Sequence, residues 1–218
     1  MVDRSGVDTK RVERARDQMV EDLRKDNIDD KVIAAMKRVP RHLFVSDCVI
    51  KKAYEDHPLP IGNDQTISAP HMVAIMCDLL ELTPDMNVLE IGAGSGYHAA
   101  IISELIGGGH VYSVERFESL AEMARDNLKN AGCRNVTVVV ADGTLGHPDH
   151  APYDRINVTC SAPDVPPPLL DQLKEGAKMV IPIGKTHQEL YLVKKNGAIE
   201  MEKKMGVVFV PLVGKYGF

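Results

Sequence analysis

The 218-residue sequence predicts an α/β fold: a doubly wound, mostly parallel Rossmann-like sheet with helices on both faces and an antiparallel C-terminal hairpin. Three observations predict it. From residue 87 onward short apolar runs alternate with helix-compatible stretches, and strands separated by helices pair in parallel. Residues 88–96 read Val-Leu-Glu-Ile-Gly-Ala-Gly-Ser-Gly, and a helical pattern begins at Tyr97. Strand, glycine turn and helix in that order make a nucleotide-binding crossing. Asn196-Gly197 stands between two further strand-like runs, a turn dipeptide that favours an antiparallel return.

The elements follow in order. Residues 8–25 carry Val12, Ala15, Met19 and Leu23 at helical spacing, one apolar stripe. Asp29 or Asp30 caps a second helix over 31–38, carrying Val32, Ile33 and Met36 and ended by Pro40. Residues 40–71 hold Pro58, Pro60, Gly62 and Pro70 and read mostly as loop and turn; a loop of that length inside a compact domain points to function. A helix from Pro70 carries Met72, Ile75, Met76, Leu79 and Leu80 before a turn at Pro84-Asp85. Strands are then expected at 87–92, 110–115, 136–141, 154–160 and 178–183, and helices at 97–106, 117–131 and 167–175. Gly107-Gly108-Gly109 and Gly132 stand where helices stop. The last strands are expected at 189–195 and 205–212, joined over 196–204. With no internal repeat, residues 1–218 read as a single domain.

Hydrophobic residues make up 44% and charged residues 26%, a composition that folds without staples. Cys48, Cys77, Cys133 and Cys160 show no Cys-x-x-Cys spacing, which points to reduced thiols in a cytoplasmic protein. The first eight residues are polar and lack the apolar core of a signal peptide. No run reaches the roughly 18 apolar residues of a membrane helix. A net charge of −5 argues against a nucleic-acid partner, and a monomer is expected. His147 and His150 form a His-x-x-His beside Asp149, but Gly146, Pro148 and Pro152 mark a surface loop without a third ligand, so no metal is expected.

The glycine spacing selects the ligand. Gly92 permits a tight turn, and Gly94 and Gly96, with Ser95 between them, let a ligand approach the backbone. A dinucleotide fingerprint wants G-x-G-x-x-G. Here the glycines fall at 92, 94 and 96 and position 97 is Tyr, a form that suits a ligand without a pyrophosphate, such as S-adenosyl-L-methionine. Glu115 closes the second strand of the crossing, 19 residues after Gly96, where a carboxylate accepts hydrogen bonds from both hydroxyls of a ribose. Asp142-Gly143 follows the third strand and either holds an adenine ring or forms an ordinary turn. Glu90 either anchors the glycine loop through backbone amides or meets the positive end of the ligand. These residues describe a cofactor site that a small-molecule or RNA methyltransferase, or a regulator without chemistry, would share.

A further segment discriminates. Pro58-Leu-Pro-Ile-Gly62 followed by Gln65-Thr-Ile-Ser-Ala-Pro-His-Met72 resembles the signature of the protein-L-isoaspartate O-methyltransferase family. The resemblance extends over most of the chain, through Ala35-Met36, Val39-Pro40-Arg41, Phe44-Val45, Ala53-Tyr-Glu-Asp56, Leu89–Tyr97, Val114-Glu-Arg116, Asp142-Gly143, Ala151-Pro-Tyr-Asp-Arg-Ile156 and Val208-Phe-Val-Pro-Leu212. There are departures. Asp64 stands where the family usually has glycine, Cys160 and Ser161 where small alanines are typical, and Ala141 where glycine is frequent. Asp64 adds a negative charge near the substrate entrance.

The resemblance implies that Ser68 is the active-site serine, that Gln65, Thr66 and Ile67 lie beside S-adenosyl-L-methionine, and that 207–212 holds a substrate peptide by its backbone. Ser68 before Ala-Pro is also a good capping context for the helix that follows. The implied acceptor is the free α-carboxylate of an isoaspartyl residue in a damaged protein or peptide. Such a carboxyl group ordinarily titrates at about pH 3.3–3.7, so no general base is required, and the sequence shows no obvious catalytic His–Asp dyad. The absence of Lys and Arg from 58–70 fits an acceptor left unpaired and nucleophilic. The methyl ester then closes to a succinimide, part of which hydrolyses to normal aspartate.

Overall fold

A computed structural model of the chain describes residues 9–218. The expectations for the first eight residues, a polar start without a leader's apolar core and a helix beginning at residue 8, lie outside the described residues.

Helix α1 (Thr9–Leu23) buries Val12, Met19 and Leu23, the expected stripe. Helix α2 (Asp30–Arg38) is capped by Asp29, whose side chain accepts from the Lys31 amide at 2.8 Å, and buries Val32, Ile33, Ala35 and Met36. Residues 40–71 are more regular than expected. They contain 3₁₀ turns at Arg41–Phe44 and Ile50–Lys52, then an antiparallel ribbon of β1 (Leu59–Gly62) and β2 (Gln65–Ile67). Asn63 and Asp64 join the two strands in the left-handed region, at φ 50° and 56°. Asn and Asp tolerate that conformation better than other side chains, so Asp64 replaces the family's usual glycine without breaking the turn.

The remaining elements are α3 (Pro70–Leu80), β3 (Asn87–Ile91), α4 (Tyr97–Ile106), β4 (His110–Glu115), α5 (Glu118–Asn130), β5 (Val136–Val140), β6 (Tyr153–Val158), α6 (Pro167–Gln172), β7 (Leu173–Ile183), β8 (Gln188–Lys195) and β9 (Ile199–Val207). One seven-stranded sheet runs β5-β4-β3-β6-β7-β8-β9. The first five strands in that order are parallel, and β8 and β9 return antiparallel. Alternation along β3 divides the core: Val88 joins the apolar cluster of α1–α5, while Leu89 and Ile91 join the one with Leu169 of α6.

Two C-terminal expectations are corrected. The helix expected over 167–175 ends at Gln172, because the chain enters β7 at Leu173 through an irregular register with β6. The last strand starts at Ile199 and ends at Val207, so the hairpin connection is the short turn at 196–198, where the Asn196 amide donates to the Ala198 carbonyl at 3.0 Å. The alternation of Ile-Glu-Met-Glu is short and lapses at Lys203-Lys204, and it marks no buried face, because β9 is an edge strand with both faces largely in solvent. Beyond it the chain leaves the sheet, with Val208 95% exposed. It then pairs with the segment after β6: Ser161 donates to the Val210 carbonyl and Leu212 to the Ser161 carbonyl, both at 2.8 Å.

Candidate functional site

The strand order reverses at β3. From there the chain moves outward through β4 and β5, then returns to place β6 on the other flank of β3. Loops leaving two such strands diverge, and α/β sheets take ligands in that gap. Here it is an open cleft of about 880 Å³, walled by the loop after β3, the ends of β4 and β6, residues 65–68 and residues 210–213.

The protein's own atoms shape the glycine loop. Gly92 lies at φ +93°, and a Cβ on it would stand 2.3 Å from the Thr159 hydroxyl oxygen. That hydroxyl is shared between the carbonyls of Ile91 (3.0 Å) and Gly92 (2.7 Å), which ties the end of β3 to the residue after β6. Gly92, Gly94 and Ser95 line the cleft, but Gly96 does not. Gly96 opens α4 at φ +88°, and its missing Cβ makes room for Leu128 and the Ala124 carbonyl of α5, 3.1 and 3.2 Å away.

Glu115 lines the cleft at the end of β4. Its Oε2 accepts from the Gly94 amide (2.9 Å), and its Oε1 from the amides of Arg116 (2.8 Å) and Phe117 (3.0 Å). These bonds fix the carboxylate and fasten it to the glycine loop. Gly143 lines the cleft and Asp142 does not. Asp142 Oδ1 takes the Thr144 amide (2.9 Å) and hydroxyl (2.7 Å), and Oδ2 takes the Lys215 amide (2.8 Å). Its carboxylate thus closes the turn and pins the C-terminal tail, while the Gly143 backbone faces the cleft.

Glu90 departs furthest from expectation. It shares a strand face with Val88 and points away from the cleft, fully buried. The Ser113 hydroxyl donates to its Oε2 at 2.5 Å, while Oε1 has no partner. Asn157 stands beside it in the register of β6. Burial pushes its pKa up to about 8 against the Ser113 hydrogen bond, so it is a largely neutral acid at neutral pH. The choice between loop anchor and ligand contact falls to neither.

On the wall formed by the ribbon and the start of α3, Gln65, Thr66, Ile67 and Ser68 all line the cleft. Among the described residues the Ser68 hydroxyl has no hydrogen-bond partner, and the cap position of α3 is Ala69 with no side-chain bond. Capping falls to Asp56. Its Oδ1 accepts from the His71 amide at 2.9 Å, and both its oxygens meet His71 Nδ1, at 2.9 and 3.0 Å. The fold thus brings together a histidine and an aspartate 15 residues apart, a pair engaged with the first turn of α3. A second cavity, an open groove of about 1720 Å³, runs past Ser68 and His71 to 205–210 and 186–189. Thr66, Ser68, Thr159 and Val210 line both cavities.

Sequence reading missed several residues. Arg41 reaches Ser68 from outside 58–70: its Nη2 donates to the Ser68 carbonyl at 2.7 Å. Its only signal was the Val-Pro-Arg run. His98 lines the cleft with Nε2 3.3 Å from Cys77 Sγ, and burial lowers its pKa to about 3, so the imidazole stays neutral. The apolar pattern of α4 hid it. Thr159 carried no signal beyond its place after a strand. His150 stacks on Tyr112 at 4.0 Å, and among the described residues no three His, Cys, Asp or Glu side chains are grouped to hold a metal.

Residues 14–217 match the family model described as protein-L-isoaspartate(D-aspartate) O-methyltransferase. A protein-L-isoaspartate O-methyltransferase of Methanothrix thermoacetophila is 57% identical over 204 residues, covering 93% of this chain and 97% of that one. The enzyme of the same name from Methanococcoides burtonii is 57% identical over 203 residues, covering 92% and 100%. A solved protein-L-isoaspartate O-methyltransferase superposes with a TM-score of 0.86 at 32% identity, over 93% of this chain and 67% of that one. A crystal structure of a putative protein-L-isoaspartate O-methyltransferase from Plasmodium falciparum, in complex with S-adenosyl-L-homocysteine, gives 0.81 at 27% identity, over 91% and 98%.

Two outcomes are expected. Gly92→Ala should lower the unfolding free energy by about 1–3 kcal/mol, from left-handed strain and displacement of Thr159; denaturant titration measures it, and an unchanged midpoint contradicts the close approach. For Glu90 the folded pKa is raised from 4.5 to about 8, so the folded chain holds a proton that the unfolded chain releases. Its contribution is fully present below pH 4.5 and is lost as pH rises through about 8. Glu90→Gln should remove this fall, gaining on the wild type by at most about 1.4 kcal/mol per pH unit. His98 titrates in the opposite sense and cancels in the comparison. Parallel stability curves for the two proteins across this range would refute the neutral acid.

Proposed function

The chain belongs to the protein-L-isoaspartate(D-aspartate) O-methyltransferase family, and from that premise we propose that it transfers the methyl group of S-adenosyl-L-methionine to the free α-carboxylate of isoaspartyl residues in damaged proteins and peptides. The observation that carries this reading is the wall of Thr66, Ser68, Thr159 and Val210, common to a cleft and to an open groove. A donor in the one and a peptide in the other meet at those side chains.

The cleft residues fit the donor. Glu115, at the end of the crossing's second strand, offers carboxylate lone pairs to a ribose. Val114, Phe117 and Leu212 give apolar surface for a flat base, and the Gly94–Ser95 backbone borders the remaining space. When bound, the donor supplies a methyl group on a sulfonium.

The acceptor carboxylate is already ionised at neutral pH, so the His71–Asp56 pair has no proton to remove in this step. Ser68, with its hydroxyl free of other partners, donates to one carboxylate oxygen and leaves the second aimed at the donor. Arg41 sits behind the Ser68 carbonyl rather than at the hydroxyl, so no cation pairs directly with the nucleophile. Alignment and exclusion of water then supply the acceleration. After release, the backbone nitrogen bonded to the side-chain carbonyl loses its proton and attacks the ester carbonyl, methanol leaves, and the resulting succinimide hydrolyses in part to aspartate.

The direct test offers labelled S-adenosyl-L-methionine with matched peptides containing aspartate or isoaspartate. Base-labile label on the isoaspartyl peptide alone is expected, and equal labelling of both would sink the assignment. Ser68→Ala should slow transfer on the order of 10- to 100-fold with cofactor affinity nearly intact. Glu115→Ala should instead weaken cofactor binding about 10- to 100-fold, as read by calorimetry; exchanged phenotypes would reverse the two roles.

A further inference from the structure

Among the described residues Arg41 is the one lysine or arginine that is fully buried. Among those residues no carboxylate forms an ion pair with it, and Asp56 acts on it only at longer range. Its Nε donates to the Ala53 carbonyl and its Nη2 to the Ser68 carbonyl, both at 2.7 Å, and the guanidinium lies 4.7 Å from the centroid of the Tyr97 ring. Nη1 is buried without a partner. A desolvated charge without a counter-ion is an expensive way to fill space, and an apolar side chain of similar volume often serves stability as well or better. What it offers instead is geometry, because the planar guanidinium presents donors in a rigid fork.

The three groups it touches belong to separate parts of the site. Ala53 follows the 3₁₀ turn Ile50–Lys52. Ser68 stands on the wall common to the two cavities. Tyr97 is the first residue of α4, directly behind the glycine loop, and itself lines the cleft. Phe44 packs edge-on against the same ring, with centroids 5.5 Å apart, so the ring under the guanidinium is held from a second side.

We propose that Arg41 is a positioning residue for methyl transfer: by holding the Ser68 carbonyl while resting on Tyr97, it fixes the acceptor segment against the helix that carries the cofactor loop. A bond to the Ser68 carbonyl orients the peptide plane between Ser68 and Ala69, and with it the direction in which the Ser68 side chain leaves the backbone. Arg41 therefore acts through Ser68 and touches neither substrate. The inference rests on Ser68 being the residue that orients the acceptor.

The test is a double-mutant cycle with Ser68→Ala. Arg41→Lys keeps the charge but cannot bridge two carbonyls and cover a ring. Arg41→Met removes the charge and all donors at similar volume, and the cycle can be read from whichever variant stays folded. For each protein, kcat and KM for an isoaspartyl peptide and Kd for S-adenosyl-L-homocysteine are measured well below its melting midpoint. Arg41→Lys should lower kcat on the order of tenfold, with Kd unchanged within about twofold. In the Ser68→Ala background the same change should cost less than about twofold, because interacting residues are non-additive. Losses that multiply in the two backgrounds, an unchanged kcat, or a Kd that moves as far as kcat would each overturn the role of Arg41 and leave that of Ser68 standing. A Ser68→Ala enzyme as fast as the wild type would remove both.

Discussion

The cleft depends on one close approach. Strands β3 and β6 lie side by side but send their chains in different directions, and something must hold their ends where they part. The Thr159 hydroxyl does so by occupying the space that Gly92 leaves empty and sharing its hydrogen between two carbonyls of the glycine loop. The loop is fastened to β4 as well, through the Gly94 amide and Glu115, and to α5 through Asn127 and the Ser95 carbonyl at 3.0 Å. Three neighbouring strand ends and one helix thus share a single fixed edge. A pocket assembled this way has its shape before any ligand arrives, which lowers the ordering cost of binding.

Much of this was legible in the sequence and some was not, for reasons that can be located. Local signals were reliable where local physics decides. Asp29 caps α2, Pro70 opens α3, and the helix at 97–106 runs between its glycines as the spacing requires. The residues lining the cleft from 65 to 68 and at 92, 94, 95, 115 and 143 were identified from spacing and from the family resemblance together. For Glu90 and Asp142 the alternatives stayed open because both are acidic residues near strand ends, and sequence does not tell which face of a strand a carboxylate takes or which amides reach it first. Arg41, His71 with Asp56, and Thr159 share a different obscurity. Each acts on a residue distant in sequence, so no spacing rule connects them.

Under the proposed activity, the wall around Ser68 faces two opposite electrostatic demands. A carboxylate needs somewhere favourable to sit, yet tight pairing with a cation would quench its nucleophilicity. The structure separates the two. The Arg41 charge is spent on main-chain carbonyls and an aromatic face, and the group left facing the shared wall is a neutral hydroxyl. Asp56 is itself occupied with the first turn of α3 and the His71 ring. Polar groups around Ser68 are thus largely engaged with one another, and Ser68 is left over.

The outer wall of the groove is main chain that has run off the edge of the sheet, with Val208 almost wholly in solvent. A chain lying along such a wall arrives as an extended ribbon, and its own helix or strand contacts must be surrendered over several residues. Under the proposed activity, damage locked inside an intact element of a client is out of reach, however well its carboxylate would fit beside Ser68. Lesions at frayed ends and mobile loops are accessible at once, while buried ones wait for local opening of the client. An enzyme working in this way would sample the breathing of other proteins, and the flexibility of the damaged chain would become part of its specificity.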